Sequence, residues 1–185
     1  MKYTKSYSSK RIVMRPYVLS DFKVWREGNL SRLPQQNKFD SAKVSAKKLN
    51  IHSFKSILKK NRVRAKDDEC YVYGIFEKRT GKHLGVTSLY VLIRKGLHWA
   101  NLGYEIHNQY WRQGYAKEAA LLTLKIGFRD LGLHRIEAAM ELDHEGSIGV
   151  ARAIGMRREG IRRKFFPHPS GWEDLVVFGA VKEDF

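Results

Sequence analysis

The strongest constraint on this chain is the order of three kinds of segment between Leu102 and Leu142. LGYEIH (Leu102 to His107) alternates like a short strand. WRQGYAKEA (Trp111 to Ala119) then sets a glycine turn directly ahead of apolar residues at helical spacing (Ala116 to Leu131), and HRIEAAMEL (His134 to Leu142) returns as a strand. A strand, a glycine loop, a helix and a second strand make a right-handed crossover unit. The loop also reads as an anion site: free backbone N–H groups and the positive end of the helix dipole point the same way at a helix mouth. Gly114 lets the backbone approach phosphate oxygens that a Cβ would keep away. Taken by itself, the same segment is equally an ordinary strand-to-helix turn.

The surrounding sequence extends the pattern. RIVMRPY (Arg11 to Tyr17) alternates like a strand, and Ser20 and Asp21 supply an N-cap and acidic first turn for a short helix through Trp25. From Ser41 to about Asn61, Val44, Ile51, Phe54 and Leu58 recur at helical spacing among Lys43, Lys47, Lys48, Lys55, Lys59 and Lys60, which predicts a basic amphipathic helix covering a core. YVYGIFEKRTGKHLGVTSLYVL reads as a hairpin turning at Lys78 to Gly81, and Trp99 to His107 as a third strand. Gly146 to Ile154 predicts a short helix stopped by Gly155. Lys164 to Phe166 and Asp174 to Val181 are expected as closing strands.

At 185 residues with 43% hydrophobic content, the chain suits one sizeable core, so residues 1–185 are expected to form a single domain that includes the basic first third. No apolar run approaches the ~18–20 residues of a membrane span, and MKYTKSYSSKR lacks a signal-peptide apolar stretch, so a cytoplasmic protein with no membrane contact is expected. Cys70 is the sole cysteine, which excludes an intrachain disulfide and cysteine metal knuckles. The net charge of +16 is unevenly spread. Residues 1–66 hold 18 Lys+Arg against 3 Asp+Glu, or +15, leaving +1 for the remainder. That distribution suits an acidic partner such as nucleic acid, ribosome, anionic cofactor or acidic peptide, or a plainly solvated helix face.

LGYEI…YWRQGYAKEA, LHRIEA and AIGMRREG, with RIVMRP, YGIFEKRTGKHLGV and GWEDLVVFGAV in the same order, resemble the GNAT superfamily of acetyl-CoA-dependent N-acetyltransferases, and within it the RimJ/RimL type that acetylates N-terminal α-amines of ribosomal proteins. The resemblance covers about Arg11 to Phe185. It implies an α/β (α+β) GNAT fold: a mixed, mostly antiparallel, seven-stranded splayed sheet flanked by about four helices, with acetyl-CoA between Leu102–His107 and His134–Leu142. It further implies that the backbone of Arg112, Gln113, Gly114, Tyr115, Ala116 and Lys117 holds the CoA pyrophosphate. Ile106 and His107 would pair through their backbone with the pantetheine arm, Ile106 N–H polarising the thioester carbonyl. No metal is implied. Three positions depart from the superfamily: Trp111 stands where Gln or Arg is frequent, His144 where Asn is frequent among cofactor-side residues, and Ala151 where a tyrosine often protonates the thiolate.

Direct transfer needs a neutral amine, and an α-amine with a pKa of about 7.7–8.0 needs far less help than lysine at about 10.4. Glu105 is the candidate base, unless strand alternation turns it to the face away from Ile106's neighbours. Ser147 is the candidate thiolate partner, or else the cap of the helix that begins there. His134 and His144 are further candidate proton carriers. The expected reaction is acetyl transfer by direct attack in a ternary complex, with a protein N-terminus, a ribosomal protein first, as acceptor. Two alternatives stand: a GNAT-fold ribosome- or RNA-binding protein with little catalysis, using the basic third, and an acetyltransferase of a small-molecule amine. The sequence leaves the oligomeric state open.

Overall fold

A computed structural model describes residues 3–169 and 171–185; the reading of the amino terminus at Met1 and Lys2 lies outside the described residues. Among the described residues, eight strands form one sheet: β1 (Tyr7–Ser8), β2 (Ile12–Arg15), β3 (Cys70–Glu77), β4 (His83–Ile93), β5 (Trp99–Ile106), β6 (Arg135–Glu141), β7 (Arg157–His168) and β8 (Gly171–Val181). Their spatial order is β1-β2-β3-β4-β5-β6-β8-β7, and every neighbouring pair is antiparallel except β5 and β6. This is the mixed, mostly antiparallel sheet that the resemblance implied, with one strand more than the seven expected. A two-residue strand such as β1 gives too little alternation to register in a sequence.

Four α-helices among the described residues flank the sheet: α1 (Phe22–Leu30), α2 (Ile51–Lys66), α3 (Tyr115–Arg129) and α4 (Glu145–Ala153). Ala119, Ala120, Leu124 and Ile126 of α3 and Ile148 and Ala151 of α4 pack with Ile12, Leu89, Leu102 and Ile136 of the strands. On α1 and α2, Trp25, Phe54 and Leu58 join Tyr17, Leu49 and Phe76 in a second core. The basic helix begins ten residues later than its pattern suggested. Asn50 caps it by accepting from Ser53 N–H, while residues 41–48 lie exposed as irregular chain, Val44 among them. Both closing strands are also longer than expected, because the arginine-rich start of β7 hides its alternation. Among the described residues, no helix is long and apolar enough to cross a membrane.

The crossover places the site. β5 and β6 pair only at Trp99↔Arg135, Ala100↔Ile136 and Asn101↔Glu137, after which the two strands part.

Candidate active site

Backbone alternation decides what faces the gap. His107 N–H donates to Leu84 O at 2.9 Å and His107 O accepts from Tyr110 N–H at 2.9 Å, so both backbone groups of His107 are spent within the protein. The expected pantetheine contact at His107 is therefore corrected: its N–H continues the β4 ladder. Odd-numbered residues of β5 face β4, which turns the backbone of Leu102, Tyr104 and Ile106 toward the gap. Trp111 Nε1–H donates to Ile106 O at 2.7 Å, leaving the Ile106 N–H as the outward donor. The aromatic departure at Trp111 thus secures the end of β5. Gly85, opposite Ile106, has φ +156°, and a Cβ there would lie 2.0 Å from Glu105 O. Only glycine lets β4 lie this close to the site.

The loop before α3 has the shape of an anion cradle. Arg112 and Gly114 both adopt left-handed backbone, at φ +59° and +80°, on either side of Gln113. Such alternation turns successive N–H groups into one concavity. Gly114 is the N-cap of α3 with no side-chain cap, and the first intrahelical bond comes from Glu118 N–H to Gly114 O. The N–H groups of Tyr115, Ala116 and Lys117 are then the free donors of the first turn. Arg11 braces the cradle from behind, donating through Nη1 to Gln113 O at 2.8 Å and through Nε to Glu118 at 2.7 Å, with its guanidinium over the Tyr115 ring. Burial works against the Glu118 carboxylate, but hydrogen bonds from Ser9, Arg11 N–H and the Arg11 guanidinium hold its pKa below the ordinary value.

Glu105 lies on the other face of β5, toward α1, as strand alternation allows. Its Oε1 accepts from Arg32 Nη1 at 2.5 Å, while the side chain keeps 42% exposure. Arg32 is only 4% exposed and also donates to Asp40 Oδ1 at 2.7 Å and Ser41 O at 3.0 Å. Asn108 completes the knot, donating to Leu33 O, Pro34 O and Asp40 Oδ2 and accepting from Leu33 N–H. None of Arg32, Asp40 and Asn108 was read from the sequence. Their pairing joins positions almost 70 residues apart and leaves no local pattern. Residues 31–41 form a strap that reaches the far arm: Phe39 stacks on His144 at 4.0 Å, and Lys38 pairs with Glu141 at 3.0 Å and Asp143 at 2.9 Å.

At that arm His144, and not Ser147, is the N-cap of α4. Ser147 N–H donates to His144 Nδ1 at 3.4 Å. Burial lowers the His144 pKa against the opposing pull of Glu141 and Asp143, so the ring is neutral near pH 7, and with Nδ1 accepting from Ser147 N–H the ring proton is assigned to Nε2. Nε2 lies 3.0 Å from Ser147 Oγ, so the ring donates to that hydroxyl and frees its proton for another acceptor. Ala151 is buried and carries no hydroxyl. Tyr104, which sequence reading passed over, reaches across from β5 with its hydroxyl 3.4 Å from Ser147 O. His134 is not in this group. It precedes β6 at the end where β5 and β6 are still paired, with Nδ1 3.8 Å from Glu183.

Behind β5 runs a buried polar chain: Tyr17 Oη lies 2.8 Å from His83 Nε2, and His83 Nδ1 lies 3.0 Å from His107 Nε2. Burial pushes the His83 and His107 pKa values down to about 4 and about 3, so both rings are neutral.

Residues 11–157 match the family model described as Acetyltransferase (GNAT) domain. This chain belongs to the GNAT acetyltransferase family. Over 121 residues it is 35% identical to the "Probable N-acetyltransferase YjcK" of Bacillus subtilis, covering 65% of this chain and 67% of that protein. The matched stretches span about half to two thirds of the lengths of the curated relatives. Two solved structures share the fold. Mycobacterium smegmatis RimJ in complex with CoA-disulfide has a TM-score of 0.77 at 21% identity, covering 94% of this chain and 83% of that one. The ribosomal-protein-S5-alanine acetyltransferase of Vibrio fischeri has a TM-score of 0.74 at 22% identity, covering 97% and 98%.

GNAT acetyltransferases use acetyl-CoA, which makes this chain an acyltransferase with acetyl-CoA as co-substrate. Its residues fit that donor. A cradle of free amides around left-handed Gly114 suits a pyrophosphate, and the parted strands expose backbone donors and acceptors to an amide-bearing arm.

Proposed function

We propose that this GNAT enzyme, a single acetyltransferase domain over residues 1–185, acetylates the α-amine of a protein N-terminus in the cytoplasm, ribosomal proteins first. The observation that carries this reading is the half-exposed Glu105 carboxylate, anchored through one oxygen by buried Arg32 on the strand that bears the Ile106 N–H. An α-amine asks only for a modest base, and a carboxylate with one open oxygen, acting directly or through water, is enough.

Acetyl-CoA supplies the activated acetyl group as a thioester. In this reading the amides of Arg112, Gln113, Gly114, Tyr115, Ala116 and Lys117 bind its phosphates, and Ile106 N–H is the donor for the carbonyl oxygen on which negative charge develops. Although the Glu105 side chain leaves β5 on the α1 face, opposite the Ile106 side chain, its open oxygen takes the proton of the incoming amine from that side through water. Ser147, relieved of donating to His144, gives its hydroxyl proton as a hydrogen bond to the departing sulfur. His144 holds that hydroxyl and, through Phe39, the strap. The exposed lysines of residues 41–60 would serve an acidic acceptor or nearby RNA and disfavour polycations such as spermidine. Support for a ribosomal acceptor comes from the names of the structural neighbours, RimJ and the S5-alanine enzyme.

Intact-mass comparison of ribosomal and other abundant proteins from cells with and without this chain tests the reading. Loss of one acetyl group from an N-terminus is expected. Unchanged N-termini, together with faster turnover of spermidine than of peptides, would replace it with a small-molecule acetyltransferase.

A further inference from the structure

The even charge count of the last two thirds conceals a second basic surface. β7 is the edge strand of the sheet, and over residues 157–168 it holds five Lys+Arg against one Glu. Two of its cations are taken: Arg157 pairs with Asp184, and Arg162 with Glu137, whose other partner is Arg135 of β6. Arg162 also lies 5.2 Å from the Phe165 ring centroid and 5.9 Å from that of Trp99. Arg158, Arg163 and Lys164 are exposed and their side chains form no ion pair among the described residues, although the Lys164 backbone N–H donates to Asp174 Oδ1 at 2.8 Å. Next to Arg163 and Lys164 along the hairpin stand three aromatic side chains facing water, Phe165 at 54%, Phe166 at 50% and Trp172 at 62% exposure, while Arg158 lies further back, opposite Phe178. Large aromatic surface left in water within one hairpin calls for a partner.

The hairpin is poorly made for another strand. Its register breaks between Arg158 and Gly160 and again between Arg162 and Phe166, Lys164 is left-handed at φ +44°, and Pro167 lacks a donor. Bulges, a left-handed residue and proline blunt an edge against pairing, and two copies laid edge to edge would oppose like charges. What remains is recognition by side chains: flat rings for stacking and cations for a charged backbone. Single-stranded RNA offers bases and phosphates in that combination, whereas an acidic peptide would leave the rings unused. We infer that the β7–β8 hairpin is a single-stranded RNA docking surface, with Phe165, Phe166 and Trp172 as the stacking platform and Arg158, Arg163 and Lys164 as the phosphate contacts. The hairpin extends beyond the Glu141↔Leu175 pair, at the end of β6 where Glu141 holds Lys38 of the strap, so the RNA would flank the acceptor side of the cleft.

The inference does not need the acceptor to be a protein N-terminus, and the test keeps the two apart. Anisotropy of a labelled oligouridylate is titrated with the intact protein at several salt concentrations, alongside the thermal shift given by CoA. Phe165→Ser combined with Phe166→Ser, both on exposed side chains, should weaken RNA binding by about 5- to 100-fold and leave the CoA shift unchanged. Arg163→Gln with Lys164→Gln should reduce the slope of log K against log salt by about 1.4. Full RNA binding in both variants would overturn the inference and move the contact to residues 41–66. No RNA binding by the unaltered protein, with self-association that the phenylalanine substitutions abolish, would overturn it in favour of a second copy.

Discussion

One buried guanidinium does two jobs in this molecule. Arg32 sends separate N–H groups to Asp40 and to Glu105, and only a planar fork reaches both. Arg32→Lys keeps the charge but not the second contact. It should cost about 1.5–3 kcal/mol in denaturant unfolding and lower kcat/KM for the acceptor while KM for acetyl-CoA stays put. Ser147 separates from its neighbour in a different way. Because His144 caps α4, Ser147→Ala should leave the melting temperature unchanged and reduce kcat about 10- to 100-fold, the value of one hydrogen bond to a charged sulfur. A fall in stability with full activity would return Ser147 to a structural role. Glu105 and Ser147 stood out in the sequence because each sits in a motif with fixed spacing, and their catalytic roles belong to the proposal. Arg32 did not stand out, since its importance arises from two carboxylates that meet it only after folding.

Among the elements, β4 and β5 and the chain after β2 are tied by Tyr17, His83 and His107, and this tie has a sign in pH. An unfolded histidine takes up a proton near pH 6.5, but the folded rings hold out to about 4 and about 3, so between these limits the unfolded chain binds more protons. Their contribution is complete above pH 6.5 and is lost as pH falls toward 4 and 3, by about 1.4 kcal/mol per pH unit for each ring. Unfolding free energies measured from pH 7 to pH 4 should show this slope, and His83→Gln should remove about one ring's share of it. Flat stability across that range would show that the folded rings take up protons as readily as the unfolded ones. The histidines themselves were visible in GKHLGV and LGYEIH, but their pairing depends on strand register. Elsewhere the periodicity of α3 located that helix to within two residues, because its apolar stripe is continuous. The start of α2 was misplaced because lysines and a stray valine before Asn50 imitate the helical pattern that follows.

For the whole molecule, the crossover and its neighbours were readable because each strand covers a helix and keeps its alternation. The parting of β5 from β6 has no such signature, since it is a place where pairing stops. Ligand binding across that parting should stabilise the entire fold. At 100 times its Kd, CoA adds about 2.7 kcal/mol, or roughly 5–11 °C in melting temperature for a chain of this size. Gly114→Val, which forces a β-branched residue to φ +80°, should abolish that shift while the free protein still melts cooperatively. The divided sheet also sets a clock for amide exchange. Along one strand, the N–H groups of Gly103, Glu105 and His107 are locked against β4 and should exchange slowly at all times, whereas those of Tyr104 and Ile106 should exchange fast until CoA arrives and then slow markedly. Deuterium uptake alternating with a period of two residues, and erased by the donor, would be the isotopic imprint of a sheet whose missing neighbour is its substrate.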